Sequence, residues 1–105
     1  MAFDGKEGEQ ITLTEGAAMT AAYRNSDGAW GARAHYIGKN IINSILAQTG
    51  CVGIRMYYGI DTNGDKQPVF VGVNASGNDM TSGIIADRTL PCPTACDTNN
   101  SSLAG

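Results

Sequence analysis

In the first half of the chain, composition and the spacing of apolar residues predict helices, and the alanine-rich run over residues 16–24 predicts the first of them. Thr12 and Glu15 precede it with the spacing of a capping box. In that motif the Thr12 hydroxyl accepts from the Glu15 amide, and the Glu15 carboxylate accepts from the Thr12 amide. Turn-forming residues at 25–28 follow, so we expect this helix to end at Arg24.

A second helix is predicted over Ala34–Gln48, where isoleucines recur at three- and four-residue steps and polar residues fall largely on the other side. Gly38 inside this helix costs about 1 kcal/mol relative to alanine, which indicates a close neighbour at that point. Gly50 is placed to end the helix in the left-handed conformation. The isoleucines that define the apolar face are Ile37, Ile41 and Ile45.

From residue 51 the helical period gives way to runs of β-branched and aromatic residues. Val52–Ile60 and Pro68–Asn74 have this composition, and the segment that joins them, Asp61–Lys66, contains the turn-forming pair Asn-Gly. The sequence therefore predicts an antiparallel β-hairpin. A third short strand is predicted at Gly83–Ala86, after the turn-like segment Ala75–Asp79.

These elements predict an α+β fold in which two helices pack on a small antiparallel β-sheet that contains the central hairpin. The chain has 105 residues, which is the common length of one domain, so we expect a single domain over residues 1–105. Residues 1–10 are expected to form a flexible arm, and residues 97–105 a polar tail.

Charge excludes one class of partner. The formal net charge is −3, and no two of the seven Lys and Arg residues are adjacent, whereas a nucleic-acid partner requires clustered basic residues. Only 16% of the residues are charged, against about 25% in typical proteins, so electrostatic self-repulsion is weak and does not disfavour self-association.

No apolar run approaches the ~20 residues that cross a bilayer, and residues 1–10 contain no signal-peptide core. We therefore expect no membrane partner and a cytoplasmic location, with export by a route without a visible signal left open.

Asp61, Asn63 and Asp65 occupy alternate positions in the hairpin turn, as the first three ligands of an EF-hand calcium loop do. The rest of that loop is missing, because Lys66 stands where a glycine is needed and Gly72 where a bidentate acid is needed. An ordinary hairpin turn is the favoured interpretation, and a weak metal site is the alternative.

The three cysteines do not settle the redox compartment, since an odd count is unlike a secreted disulfide framework. Cys92 and Cys96 are four residues apart, so free thiols, a local disulfide of small stabilising effect and a pair of metal ligands are all alternatives. Cys51 is expected to be a buried small hydrophobe.

Catalysis by His35 with a cysteine is disfavoured, because nothing in the sequence brings the two together. No cofactor-binding motif is present, and we expect no cofactor.

Aromatic residues are the candidates for contacts with a partner. Tyr57 and Tyr58 are adjacent on a predicted strand, so their side chains point to opposite faces and one of them can lie outside the core. An exposed tyrosine beside Trp30 would be a suitable interface anchor. The candidate contact or core residues are Trp30, Tyr57, Tyr58 and Phe70.

Three motifs carry a resemblance to a known group of proteins: Ala34-His-Tyr-Ile-Gly-Lys39, Gly50-Cys-Val-Gly-Ile-Arg-Met-Tyr-Tyr-Gly59 and Leu90-Pro-Cys-Pro93. Together they resemble a family of short uncharacterised bacterial proteins, over most of the chain from Glu15 to Pro93. The resemblance implies a free-standing small protein. It carries over no activity and no catalytic residue.

The sequence thus favours a non-catalytic structural or interaction protein that self-associates into a homo-oligomer or a filament. The outer edge of the predicted hairpin would be a template for pairing with another copy, and a separate protein partner is also open. The alternative is a small metal- or ligand-binding module that uses the Asp61–Asp65 turn or the Cys92–Cys96 segment.

Overall fold

The computed structural model combines two helices with two small antiparallel sheets, so the predicted α+β class is confirmed. The structure describes residues 2–26 and 31–105. In chain order the elements are α1 (Leu13–Arg24), β1 (Ala34–Tyr36), α2 (Lys39–Leu46), β2 (Cys51–Ile60), β3 (Lys66–Asn74), β4 (Ile85–Ala86) and β5 (Leu90–Cys92). The sheets have the strand orders β2-β3-β4 and β1-β5, whereas the prediction had one sheet.

The chain forms two compact units. The first unit comprises Met1–Gly8 and Ile37–Thr89, and it contains α2 and the three-stranded sheet. The second comprises Glu9–Tyr36 and Leu90–Gly105, and it contains α1 and the two-stranded sheet. The single domain over residues 1–105 stays a prediction.

The hairpin of the first unit is confirmed. Strands β2 and β3 pair antiparallel with Tyr57 opposite Val69, and the Asp61 amide donates to the Asp65 carbonyl at 2.9 Å where the turn begins. The predicted third strand is also present as β4, but it is only two residues long. Strand β3 lies between β2 and β4, and its Val71 is 3% exposed and belongs to the core.

Helix α2 covers the beginning of the hairpin. Its Ile45 is fully buried. Gln48 follows the helix, and both the nitrogen and the oxygen of its side-chain amide form hydrogen bonds. The Gln48 Nε2 donates to the Ile45 carbonyl at 2.9 Å, and its Oε1 accepts from the Ile84 amide at 2.8 Å. A Cβ at Gly72 would lie 2.8 Å from Gln48 Nε2, so the glycine allows the helix side to approach the sheet.

The predicted start of the second helix was wrong. Ala34–Tyr36 is a strand, paired antiparallel with β5, and Gly38 is the N-cap of α2 with an extended backbone rather than a residue inside the helix. A distant strand partner therefore overrides the isoleucine period at this point. Gly50 has a left-handed φ of 86°, but the helix C-cap is Ala47, so Gly50 belongs to the turn that leads into β2.

In the second unit, the capping box at the start of α1 is present in modified form. The Thr12 hydroxyl oxygen accepts from the Glu15 amide at 3.1 Å, and the Glu15 carboxylate accepts from the Thr12 hydroxyl rather than from its amide. At the other end of the helix, Arg24 Nη1 donates to the Leu103 carbonyl at 3.0 Å. The polar tail is thereby held against α1 within this unit.

We predict that Gly72→Ala lowers the free energy of unfolding by about 1–3 kcal/mol, because the added methyl overpacks the contact with Gln48. Gly53→Ala is the matched control on the neighbouring strand, since a Cβ there meets nothing within 4 Å. Urea denaturation of both variants measures the difference. Equal stability of the two variants would contradict the proposed close approach.

Candidate interaction edge

Strand β2 is the long edge of the three-stranded sheet. It has ten residues and pairs with β3 on one side, and within residues 2–26 and 31–105 no strand pairs with its other side. The opposite edge of the sheet is the two-residue strand β4. Long unpaired edges are usually blunted by charges, bulges or coverage, so this edge is the first candidate for a functional surface.

The register determines which backbone groups of β2 point outward. In antiparallel pairs, residues alternate between bonding the neighbouring strand and pointing away from it. Asp61 bonds across the hairpin, so Gly59 and Tyr57 bond β3, whereas Ile60 and Tyr58 direct their N–H and C=O groups outward. Pro68 agrees with this assignment, because it has no N–H and lies opposite Tyr58.

The outward-pointing residues also carry exposed apolar side chains. Met56, Tyr58 and Ile60 share one face of the sheet and are 44%, 92% and 67% exposed; we call them the edge stripe. None of the three is charged. Free backbone groups and uncovered apolar area therefore coincide on the same residues, which is the requirement for adding another strand.

On the other face of β2, Arg55 and Tyr57 both bind the Asp79 carboxylate. Arg55 Nη1 lies 2.6 Å from Asp79 Oδ1, and the Tyr57 hydroxyl donates to Asp79 Oδ2 at 2.5 Å. The hydrogen bond from Tyr57, followed by that from Arg55, lowers the pKa of the Asp79 carboxyl despite partial burial. Asp79 in turn raises the pKa of Arg55. Tyr57 is thus fixed in place while remaining 47% exposed.

The N-terminal arm borders the start of this edge. The Phe3 amide donates to the Ala75 carbonyl at 2.7 Å, and the Phe3 ring centroid lies 5.8 Å from the Arg55 guanidinium carbon. A Cβ on Gly5 would lie 3.1 Å from the Val52 carbonyl oxygen. The arm therefore approaches β2 at Val52.

The candidate contact residues predicted from the sequence have different positions. Trp30 lies outside the described residues. Tyr57 and Tyr58 occupy opposite faces of β2, as expected, but both are exposed and neither fills the core. Phe70 is half-buried on β3, opposite Met56.

Sequence reasoning missed Met56 and Ile60. Their alternation with Tyr58 was visible, but it required knowledge of which strand is the edge. It also missed the Asp79 network, whose partners are 22 and 24 residues away along the chain.

In the Asp61–Asp65 turn, the Asp61 carboxylate accepts hydrogen bonds from backbone amides of the turn itself. Asp61 Oδ1 accepts from the amides of Asn63 at 2.9 Å and Asp65 at 3.0 Å, and Gly64 takes the left-handed conformation with φ 85°. Across the described part of the chain, no three His, Cys, Asp or Glu residues are grouped to hold a metal ion. The geometry is that of a hairpin turn stabilised by its first residue.

The cysteines form one disulfide and leave one thiol. Cys92 and Cys96 are bonded to each other, so neither sulfur is a thiolate ligand or nucleophile, and Cys51 is free. His35 lies on β1 opposite Pro91, rather than at the start of a helix. Its neighbour Ala34 is opposite Cys92, and adjacent residues of a strand point to opposite faces. The side chains of His35 and Cys92 therefore point to opposite faces of this two-stranded sheet.

The state of the cysteines is measurable by alkylation. Without reductant, we expect one reactive thiol per unfolded chain, from Cys51, because the disulfide protects the other two sulfurs. After reduction we expect all three to react, as counted by mass spectrometry. Three reactive thiols before reduction would contradict the disulfide.

The Asp79 network predicts a specific acid sensitivity. Since the pKa of Asp79 is lower in the folded protein than its ordinary value of about 3.9, its stabilising contribution is complete above that value. It is lost as the pH falls through the folded pKa. In Asp79→Asn, the free energy of unfolding should therefore depend less steeply on pH below about 4. Urea denaturation over a pH series measures this, with Asp87→Asn, an exposed carboxylate outside the network, as the control. Equal slopes for wild type and Asp79→Asn would contradict the role given to Asp79.

Comparisons of the chain with protein-family models, with curated proteins and with solved structures gave no match. The resemblance to a family of short bacterial proteins therefore stays a prediction.

Proposed function

We propose that this chain is a non-catalytic protein that self-associates into a homo-oligomer through the outer edge of β2. The observation that carries the proposal is the coincidence of outward backbone groups with the edge stripe, above all with Tyr58, which is 92% exposed. A second strand laid along this edge would satisfy the backbone groups and cover the apolar side chains in one step.

The exposed apolar side chains on the two faces of β2 offer an area at the lower limit for a specific interface. A nearly fully exposed tyrosine presents about 200 Å². Met56, Tyr57 and Ile60 add partly exposed apolar surface beside it. Full coverage of this surface in two copies would bury at most about 1,000 Å² in total, which is the lower limit for a specific protein interface.

The chemistry of the edge favours a protein strand as its occupant. The net charge of −3 and the scattered basic residues disfavour nucleic acid. Arg55 is the one charged residue of β2, and its charge is engaged by Asp79. A neutral edge also brings no like-charge repulsion between two copies, which supports a second copy as the partner.

No helix in the described ranges has the length and apolarity needed to cross a bilayer. A cytoplasmic location stays a prediction. The Cys92–Cys96 disulfide weighs against it, because disulfides persist mainly in oxidising compartments.

Self-association is tested by placing a charge on the edge stripe. We expect the wild-type protein to form a defined oligomer in multi-angle light scattering over a concentration series. Ile60→Lys should weaken association at least about tenfold, because a buried lysine on the paired edge costs more than 1.4 kcal/mol. Met19→Lys is the control, since Met19 on α1 is 66% exposed and Ile60 is 67% exposed.

Two results would contradict the proposed self-association through β2. One is a wild-type protein that remains monomeric at the highest concentrations. The other is an oligomer that Ile60→Lys and Met19→Lys affect equally, since the association would then not depend on β2.

A further inference from the structure

We infer that two copies of this chain pair β2 against β2 in a single antiparallel register, with the two-fold axis at Tyr57. This inference rests on the proposed self-association and adds the partner's geometry to it. The product is a closed dimer with a continuous six-stranded sheet, in the order β4-β3-β2 followed by β2-β3-β4 of the second copy.

The free part of the edge has defined limits. At one end the arm approaches Val52, and at the other the Asp61 amide is already bonded across the hairpin turn. The outward-pointing residues between these limits are Ile54, Met56, Tyr58 and Ile60. An antiparallel two-fold pairing that uses all of them has to be centred on the middle residue, Tyr57.

This register pairs every outward residue with another outward residue. Ile54 lies opposite Ile60 of the second copy, and Met56 lies opposite Tyr58 of the second copy, with the symmetric pairs completing the set. Each such pair exchanges two backbone hydrogen bonds. A centre at Met56 would instead bring Ile60 to Val52, where the arm lies, and a centre at Tyr58 would bring Ile54 into the hairpin turn.

The side chains also match in this register. Met56 beside a tyrosine gives a favourable sulfur–aromatic contact on the stripe face. On the opposite face, Tyr57 meets its own symmetry copy, and Arg55 lies opposite Gly59 of the second copy. The two arginines are therefore not juxtaposed, and each keeps its Asp79 partner.

The same geometry favours a dimer over a filament. An isologous pairing consumes the β2 edge of both copies, so growth would need the other edge of the sheet. That edge is β4, which has two residues and offers little backbone for pairing. The sheet therefore closes at six strands.

Single cysteines in a Cys51→Ser background test the register. With the axis at Tyr57, two Tyr57→Cys chains place their Cα atoms about 4.5 Å apart, within the range of a disulfide. Met56→Cys alone or Tyr58→Cys alone places the two cysteines diagonally, about 7–8 Å apart. We expect Tyr57→Cys to give at least about tenfold more oxidised dimer than either, since only its thiols are held together.

A mixed sample provides a second test that leaves Tyr57 and its bond to Asp79 intact. Met56→Cys and Tyr58→Cys chains are directly opposed in this register, about 5.5 Å apart. When the two are mixed, we expect the cross-linked dimer to contain one chain of each, as identified by mass.

The outcomes separate the register from the proposed function. Light scattering that shows a dimer, together with cross-linking of Met56→Cys or Tyr58→Cys chains to themselves, would overturn the register and leave self-association standing. A protein that neither associates nor cross-links would remove both.

Discussion

The antiparallel pairing of β2 with β3 is the constraint on which the rest of the first unit depends. Its register is set where Asp61 holds the turn, and the direction of each backbone N–H and C=O group along β2 follows from that point by alternation. It directs Gly72 toward α2, where Ile45 and Gln48 pack. It brings Arg55 and Tyr57 to the face that Asp79 reaches. The same alternation leaves the N–H and C=O groups of the edge stripe directed away from the sheet.

Local patterns in the sequence were sufficient for the elements whose partners are near in the chain. The hairpin was predictable because Asn-Gly and its flanking β-branched residues act within a few residues of one another. Helix α1 was predictable for the same reason, through the Thr12 cap. The strand at Ala34–Tyr36 was not, because it exists only through pairing with Leu90–Cys92, and the isoleucine period continued across the boundary.

The candidate site shows a similar division. The sequence drew attention to Tyr58, but it could not show that β2 is an edge, since strand order is a property of the assembled sheet. Asp79 had no local signal at all, because its partners come from a strand on the far side of β3. The Asp61 turn was ambiguous for a different reason. The same alternating acidic side chains suit a cation or their own backbone amides, and only the geometry distinguishes the two.

The pairing of β1 with β5 has a consequence for the order in which the chain folds. Those strands enclose Ile37–Thr89 in sequence, so joining them directly from the unfolded chain would close a long loop at a large cost in chain entropy. The β2–β3 hairpin, by contrast, needs only a short turn and forms from neighbouring residues. Once the hairpin and α2 have collapsed, the ends of the enclosed segment are closer together and the loop is effectively shorter. We therefore expect the two-stranded sheet to form last, on a chain whose edge strand is already complete.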